Sequence, residues 1–257
     1  MKRFDNQVVI VTGGGGGMGL AFCTAFAREG ARVIAVDRHE AAVRATCDAM
    51  AREDLRGEPL ALDVADEQSV RQAFQAIAAR HGRIDVLVNG AGIRPVADLL
   101  DQSAAEFDAC MRVNGTGVFL CAREAARHML PAGRGAIVNI ASVNGMRAVT
   151  GMGAYCASKA AVISLTQTMA SEWGPRGVRV NAILPAQVET PMIAEQVGAE
   201  RRRREERIPL GRYGKPAEIA AGAMFLASDA ASFINGHPLA LDGGYLAFGF
   251  RPQVVPQ

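Results

Sequence analysis

At 257 residues and 49% hydrophobic, the chain is long enough to bury a full core as one α/β domain. Its 28 basic and 26 acidic residues leave a formal charge of +2, so no broad field points to nucleic acid or an anionic membrane. Cys23, Cys47, Cys110, Cys121 and Cys156 lack CxxC spacing and the four histidines form no ligand pair, which fits free thiols in a reducing cytoplasm and no metal.

The first apolar run, 7–11, reads as a strand; as Val8–Val11 it is too short for a signal-peptide core. A glycine-rich turn and a helix over 17–29 follow. The alternation continues with strand 32–36, helix 40–52, strand 59–62, helix 66–80 and strand 84–88. A long helix over 103–129 opens on the capping-box pattern Ser103-Ala-Ala-Glu106. Strand 136–140, helix 153–173 and strand 178–184 come next. The charged segment 188–212 has no strand of its own and reads as a flexible lid over a site. Within it, Arg201–Arg204 precede Glu205 and Glu206, a solvated helix face rather than a nucleic-acid patch. Helix 215–228, strand 238–241 and a tail, 245–257, complete the chain. No run approaches a membrane span, so the expectation is a soluble, cytoplasmic protein.

Each strand is nearly continuously apolar, as parallel strands covered on both faces must be. No linker or repeat divides the sequence. The fold class expected is α/β: a Rossmann-type, doubly wound, seven-stranded parallel sheet with helices on both faces, as a single domain over 1–257.

After the first strand stands Thr12-Gly13-Gly14-Gly15-Gly16-Gly17-Met18-Gly19. Glycines there let backbone N–H groups approach a pyrophosphate at the positive end of a helix. Tight turns need glycine anyway, so the weight comes from its place between a first strand and a first helix. Asp37 ends the second strand, where a carboxylate accepts hydrogen bonds from ribose hydroxyls and repels a 2′-phosphate. That favours NAD; Arg38, compatible with a phosphate, keeps NADP as the lesser alternative. The plainer reading of Asp37 is a strand-end turn residue.

Only three lysines occur, and Lys159 stands four residues after Tyr155, on the same helix face. A phenol with a pKa near ~10 is a poor proton shuttle at neutral pH, and an adjacent cation lowers that value. Moving it to about 7 takes roughly 4 kcal/mol. The pair then serves as a general acid/base for an alcohol oxygen. A partly buried tyrosine beside a solvated lysine is the bland alternative, and chance places such a pair at roughly a few per cent.

Together these residues resemble the short-chain dehydrogenase/reductase family in its classical branch, over about residues 5–245. The family's TGxxxGxG turn matches Thr12, Gly13, Gly17 and Gly19, with Met18 inside it. Its acidic ribose-binding position matches Asp37, with Arg38 beside it, and its adenine-contacting pair matches Asp63 and Val64. Asn-x-Ala-Gly matches Asn89, Ala91 and Gly92; Gly90 replaces the usual asparagine, which is expected to loosen the turn. The family's catalytic set maps onto Asn114, Ser142, Tyr155 and Lys159. Pro185-Ala186 replaces the usual Pro-Gly and puts the pocket floor in question. Val188 and Thr190 match positions that hold the nicotinamide carboxamide, and Leu241-Asp242-Gly243-Gly244 matches a structural closing motif.

The resemblance implies an NAD-dependent oxidoreductase that interconverts a secondary alcohol and its ketone. In it Tyr155 moves the hydroxyl proton, Lys159 lowers the tyrosine's pKa and binds the nicotinamide ribose, and Ser142 donates to the substrate oxygen. Asn114 would kink its helix and hold a water joined to Lys159. The family also includes NADPH-dependent 3-oxoacyl-thioester (acyl-carrier-protein) reductases, which Asp37 opposes. A silent dinucleotide sensor would lack the tyrosine or the lysine. Homotetramers are common in the family, through helices 103–129 and 153–173.

In such a fold the pocket forms from loops at strand ends, which nominates Arg94 and Val96, Asn144 and Met146, Met152, Gln187 and Met192. Three methionines suit an adaptable apolar cavity and a medium-sized, even alicyclic, secondary alcohol. Arg94 is either the partner of a substrate carboxylate or, more plainly, a solvated loop arginine. The stretch Tyr245–Phe250 closes one wall or reaches a neighbouring subunit.

Overall fold

The computed structural model describes residues 2–247. In chain order its elements are β1 (Val8–Thr12), α1 (Gly17–Arg28), β2 (Arg32–Asp37), α2 (Glu40–Ala51), β3 (Gly57–Ala61), α3 (Glu67–His81), β4 (Val86–Asn89), α4 (Ala104–Met111), α5 (Gly117–Met129), β5 (Gly135–Ile140), α6 (Gly153–Trp173), β6 (Val178–Pro185), α7 (Gly198–Glu205), α8 (Pro216–Ala227) and β7 (Pro238–Leu241). The strands form one sheet in the order β3-β2-β1-β4-β5-β6-β7, every neighbouring pair parallel.

Side-chain parity explains the sheet. Val9 and Val11 of β1 enter the core on one face, and Val8 and Ile10 on the other. In β2, Val33 and Ala35 oppose Ile34 and Val36 in the same way. On the first face α1 contributes Phe22 and Phe26 and α8 contributes Ile219; on the second α3 contributes Phe74 and α5 Met129. Burying each such phenylalanine stabilises the fold by about 1.5–3 kcal/mol. Pro59, which has no N–H to donate, is confined to β3 at the sheet edge.

The chain runs outward from β1 through β2 to β3, then returns to place β4 on the other side of β1. That reversal is a switch point, where loops leaving the carboxyl ends of the two strands diverge and a crevice opens. The expected helix 103–129 is two helices, broken by a π turn over Arg112–Thr116. The Ser103–Glu106 capping box at its start is present. Among the described residues, no helix is long and apolar enough to cross a membrane.

Candidate active site

The crevice at the switch point encloses about 370 Å³. Backbone forms its floor. Gly13 has φ +70°, and a Cβ there would lie 2.7 Å from the Gly90 carbonyl oxygen. At Gly19 a Cβ would lie 2.1 Å from the Gly13 carbonyl, and at Gly17 it would lie 2.8 Å from Pro191 Cδ. Helix α1 begins on Gly16 with no acidic residue in its first turn. Such a helix end, with free N–H groups, is an anion site.

Asp37 stands on one rim. Its Oδ2 accepts from Gly15 N at 3.3 Å and its Oδ1 from His39 N at 3.1 Å. Arg38 Nε donates to His39 Nε2 at 3.0 Å. On another rim Asp63 Oδ1 accepts from Ala65 N at 2.9 Å, beside Leu62 and Val64. These residues fit a dinucleotide. The glycines leave no room for side chains, the helix end suits a diphosphate, and Asp37 suits ribose hydroxyls.

Past Gly90 and Gly92 lies a second cavity of about 100 Å³, lined by Ser142, Tyr155 and Lys159. Ser142 follows β5; its hydroxyl accepts from Asn144 N at 3.1 Å and faces the Pro185 carbonyl at 3.5 Å. Lys159 is 5% exposed, and its Nζ donates to the Ile140 carbonyl at 2.7 Å and stands 5.7 Å from the Tyr155 ring centroid. Asn114, within the π turn, accepts from Ile93 N at 2.8 Å and donates to Ile93 O at 2.9 Å and Ser158 Oγ at 3.0 Å. Ser158 Oγ in turn donates to the Tyr155 carbonyl at 2.8 Å. The wider turn thus lets one amide join the loop after β4 to the helix that carries Tyr155.

Burial pushes the Lys159 ammonium down to about 8. Burial also raises the Tyr155 phenol above its ordinary value, opposed by the Ser142 hydroxyl and then by the Arg94 charge. The lowering of Tyr155 by Lys159 that the sequence suggests is therefore not found. Both groups occupy one desolvated site, where each favours its neutral form, and the ammonium gives its hydrogen bond to Ile140. A neutral phenol beside a serine hydroxyl is a proton donor ready for a ketone oxygen.

The segment 188–212 lies across both cavities. At its root Val188 bridges to Gly214, with Glu189 N donating to Gly214 O and Gly214 N to Gln187 O, each at 2.9 Å. Its far end is held at Leu210, whose N donates to Gly243 O at 3.1 Å. Arg202 and Arg203 are exposed as expected, but Arg201 lies 4.7 Å above the Tyr213 ring centroid and Arg204 lines the catalytic cavity. Arg94 is not a solvated arginine. Its side chain is 15% exposed, and its Nη2 donates to Met192 O at 2.9 Å and to Glu195 Oε1 at 3.1 Å.

The structure brings most of the expected residues to the two cavities: Met18 and Thr190 line both, while Asn144, Met152, Pro185, Gln187 and Val188 line the second. Others stand elsewhere. Asn89 is buried below the crevice, where its Nδ2 donates to Asn139 Oδ1 at 2.9 Å, so it ties β4 to β5. Met146 and Val96 are 59% and 64% exposed and line neither cavity. Gly90 does not loosen its turn: its N–H reaches Thr12 Oγ1 at 3.1 Å, and a Cβ there would lie 2.8 Å from Thr12 O. Tyr245 and Leu246 pack against the cluster of Val118, Val143 and Val162, and 248–250 lie outside the described residues. His39, Leu62, Pro191 and Arg204 also line the cavities. Their one signal in the sequence was adjacency to Arg38, Asp63, Thr190 and the charged helix.

A sequence profile of the family described as Enoyl-(Acyl carrier protein) reductase matches residues 14–246. A D-threitol dehydrogenase from Mycolicibacterium smegmatis is 43% identical over 95% of this chain and 94% of its own length. A meso-2,3-butanediol dehydrogenase from Serratia marcescens is 41% identical over 98% of this chain and 100% of its own. The crystal structure of a gluconate 5-dehydrogenase from Burkholderia cenocepacia, in complex with NADP and tartrate, matches with TM-score 0.91 at 36% identity, over 96% of this chain and 99% of that one. Likeness of this extent, around a glycine-floored crevice that ends at a serine, a tyrosine and a lysine, makes the chain a member of the short-chain dehydrogenase/reductase family, an NAD(P)-dependent oxidoreductase acting on CH–OH groups.

Proposed function

We propose that the enzyme interconverts a medium-sized secondary alcohol, alicyclic alcohols included, and its ketone, with NAD as the preferred dinucleotide. One observation carries this reading: Tyr155, Ser142 and Lys159 line a cavity that adjoins the crevice floored by Gly13, Gly17 and Gly19. The threitol and butanediol named for two relatives are secondary alcohols, which supports the class.

A bound nicotinamide supplies the hydride acceptor or donor. The chain's residues handle the proton and the oxygen. Ser142 donates a hydrogen bond where negative charge develops on the substrate oxygen. Tyr155 gives its proton to a ketone oxygen or, as phenolate, takes one from an alcohol. Asn114 fixes the tyrosine's backbone through Ser158. Gly13, Gly17, Met18 and Gly19 would hold the diphosphate, Asp37 the adenosine ribose, and Val188 and Thr190 the carboxamide end. Because burial raises the Tyr155 phenol, reduction proceeds with the neutral phenol at ordinary pH. Oxidation needs the phenolate, so its rate climbs as pH rises toward and beyond the ordinary tyrosine value.

Asp37, a carboxylate fixed at the rim by two backbone N–H groups, supports NAD over NADP. The exposed Phe107 and Phe119 of α4 and α5 support a homotetramer, and the absence of a membrane-length helix among the described residues accords with a cytoplasmic enzyme. Light scattering at four times the 27.1 kDa chain mass checks the assembly. A panel of secondary alcohols with NAD and NADP, read by absorbance of the reduced dinucleotide, tests the reaction; no turnover with either cofactor sinks it.

A further inference from the structure

We infer, resting on the dehydrogenase reading above, that the catalytic cavity is built for an alcohol that also bears a carboxylate, received by Arg94. Among the described residues three cationic side chains, Arg94, Lys159 and Arg204, line this cavity, and no aspartate or glutamate does. Glu195 and Glu200, outside the lining, offset Arg94 and Arg204 in part, yet the charged groups on the surface that meets a ligand are cations, which favours an anion there.

Two of the three cations are already committed. Lys159 donates to the Ile140 carbonyl, and Arg204 pairs with Glu200 one turn back on α7 at 2.7 Å. Arg94 differs. Among the described residues both of its hydrogen bonds run through a single nitrogen, Nη2, and its buried Nε has no protein partner. A guanidinium presents Nε–H and Nη2–H as one edge of a planar fork, matched to the two oxygens of a carboxylate. Leaving one tine buried and unpaired forfeits that match and its desolvation is not recovered.

Glu195 fills the fork only in part. Its side chain is 65% exposed and it meets Arg94 through one oxygen at 3.1 Å, an ion pair of the weak, solvent-screened kind. Nε is covered while Glu195 holds Nη2, so a substrate carboxylate meets Nε and Nη2 together only as Glu195 turns to water and uncovers them. The carbinol oxygen then lies with Ser142 and Tyr155, which share the cavity with Arg94. Glu195 is thus the internal stand-in for the substrate's acid group.

The test uses matched pairs in which only the charge differs: 2-hydroxybutanoate, 3-hydroxybutanoate and 4-hydroxypentanoate, each against its amide, with NAD and NADP. At least one acid is expected to exceed its amide tenfold or more in kcat/KM. Arg94→Gln should cut that acid-to-amide ratio at least tenfold, and Glu195→Gln should raise it. A mere lid latch would give both variants the same effect on acid and amide, with the ratio unmoved, and that outcome overturns the inference. Calorimetry with butanoate against butanamide supplies a readout apart from turnover. Butanoate should bind more tightly, lose that advantage in Arg94→Gln and gain in Glu195→Gln. If Arg94→Gln fails to fold, the Glu195→Gln ratio and butanoate binding decide. Turnover of amides and neutral alcohols without any acid preference refutes the carboxylate site alone; no turnover of any alcohol refutes the dehydrogenase reading with it.

Discussion

On the proposed dinucleotide side of the crevice the surface is backbone: Gly13, Gly17 and Gly19 approach so closely that a single added methyl group meets a carbonyl or Pro191. On the substrate side the surface is side chain: Met152, Gln187, Met192 and two arginines, several carried by a segment that crosses from β6 to α8. A backbone wall admits one ligand shape and tolerates almost no substitution. A side-chain wall can be rebuilt residue by residue, which is how one fold takes up different alcohols. Between the two walls stand Tyr155 and Ser142, to which the proposed function gives the chemistry whatever the walls select.

The largest effect should come from that middle ground. Tyr155→Phe removes the proton donor and is expected to lower kcat by about 10³, with dinucleotide affinity close to the parent's because the glycine floor is untouched. Comparable turnover by this variant would refute the assignment of Tyr155. Next comes the backbone wall itself. In Gly19→Ala the methyl would stand 2.1 Å from Gly13 O, so the turn must shift, at a cost of about 3 kcal/mol and with loss of dinucleotide binding. Gly16→Ser is the contrast. A Cβ there has its nearest atom at 3.4 Å and serine is a favoured N-cap, so stability should stay within about 0.5 kcal/mol of the parent. Thermal melts that fail to separate these two variants would remove the claim that close approach sets the floor.

Much of this contrast could be read before any coordinates. The apolar runs announced buried parallel strands because parity sends alternate residues to opposite faces, and glycine spacing betrayed the backbone wall because only glycine fits there. The Tyr155–Lys159 spacing was visible, yet the sign of the phenol's shift was not, since it depends on how deeply both groups are buried. Asn114 could be singled out by resemblance, but its bonds to Ile93 and Ser158 require three separate elements to meet. Arg94 was nominated for the pocket, but its burial under the 188–212 segment could not be read: its partners Met192 and Glu195 lie 98 and 101 residues away, and no local pattern records such a pairing.

Lys159 gives a pH handle on the region between the walls. Burial holds its ammonium near 8 in the folded protein, below the ordinary value of 10.5. Between those two values the unfolded chain binds a proton at Lys159 that the folded chain does not, so the Lys159 contribution to stability rises with pH across that window. The thiols of Cys23, Cys47, Cys110 and Cys121, raised by burial, contribute in the opposite sense, and the parent and a Lys159 variant share them. Below it the folded protein bears the whole cost, about 3 kcal/mol. Lys159→Met should lack the lysine's contribution, so the stability of the parent relative to the variant should rise across the window. Urea unfolding of both proteins at neutral pH and again at mildly alkaline pH, below the ordinary tyrosine value, checks it. Parallel changes in the two proteins would show that Lys159 is not the titrating group.

Asp37 is where the comparison is sharpest and the expected effect smallest, because the proposed NAD preference rests on a side chain set in an otherwise backbone wall. Its carboxylate is held by Gly15 N and His39 N and in the proposed reading repels a 2′-phosphate, while among the described residues the Arg38 side chain beside it donates to His39. Asp37→Ser removes the repulsion and retains a hydroxyl able to accept from His39 N. The NADP-to-NAD ratio of kcat/KM should rise about tenfold, the equivalent of roughly 1.4 kcal/mol, and dinucleotide binding measured without substrate should move by the same factor. If turnover shifts but binding does not, the preference arises at the nicotinamide end, on the side-chain wall. If neither shifts, Arg38 and His39 set the choice, and Arg38→Ala becomes the variant that must lower NADP use.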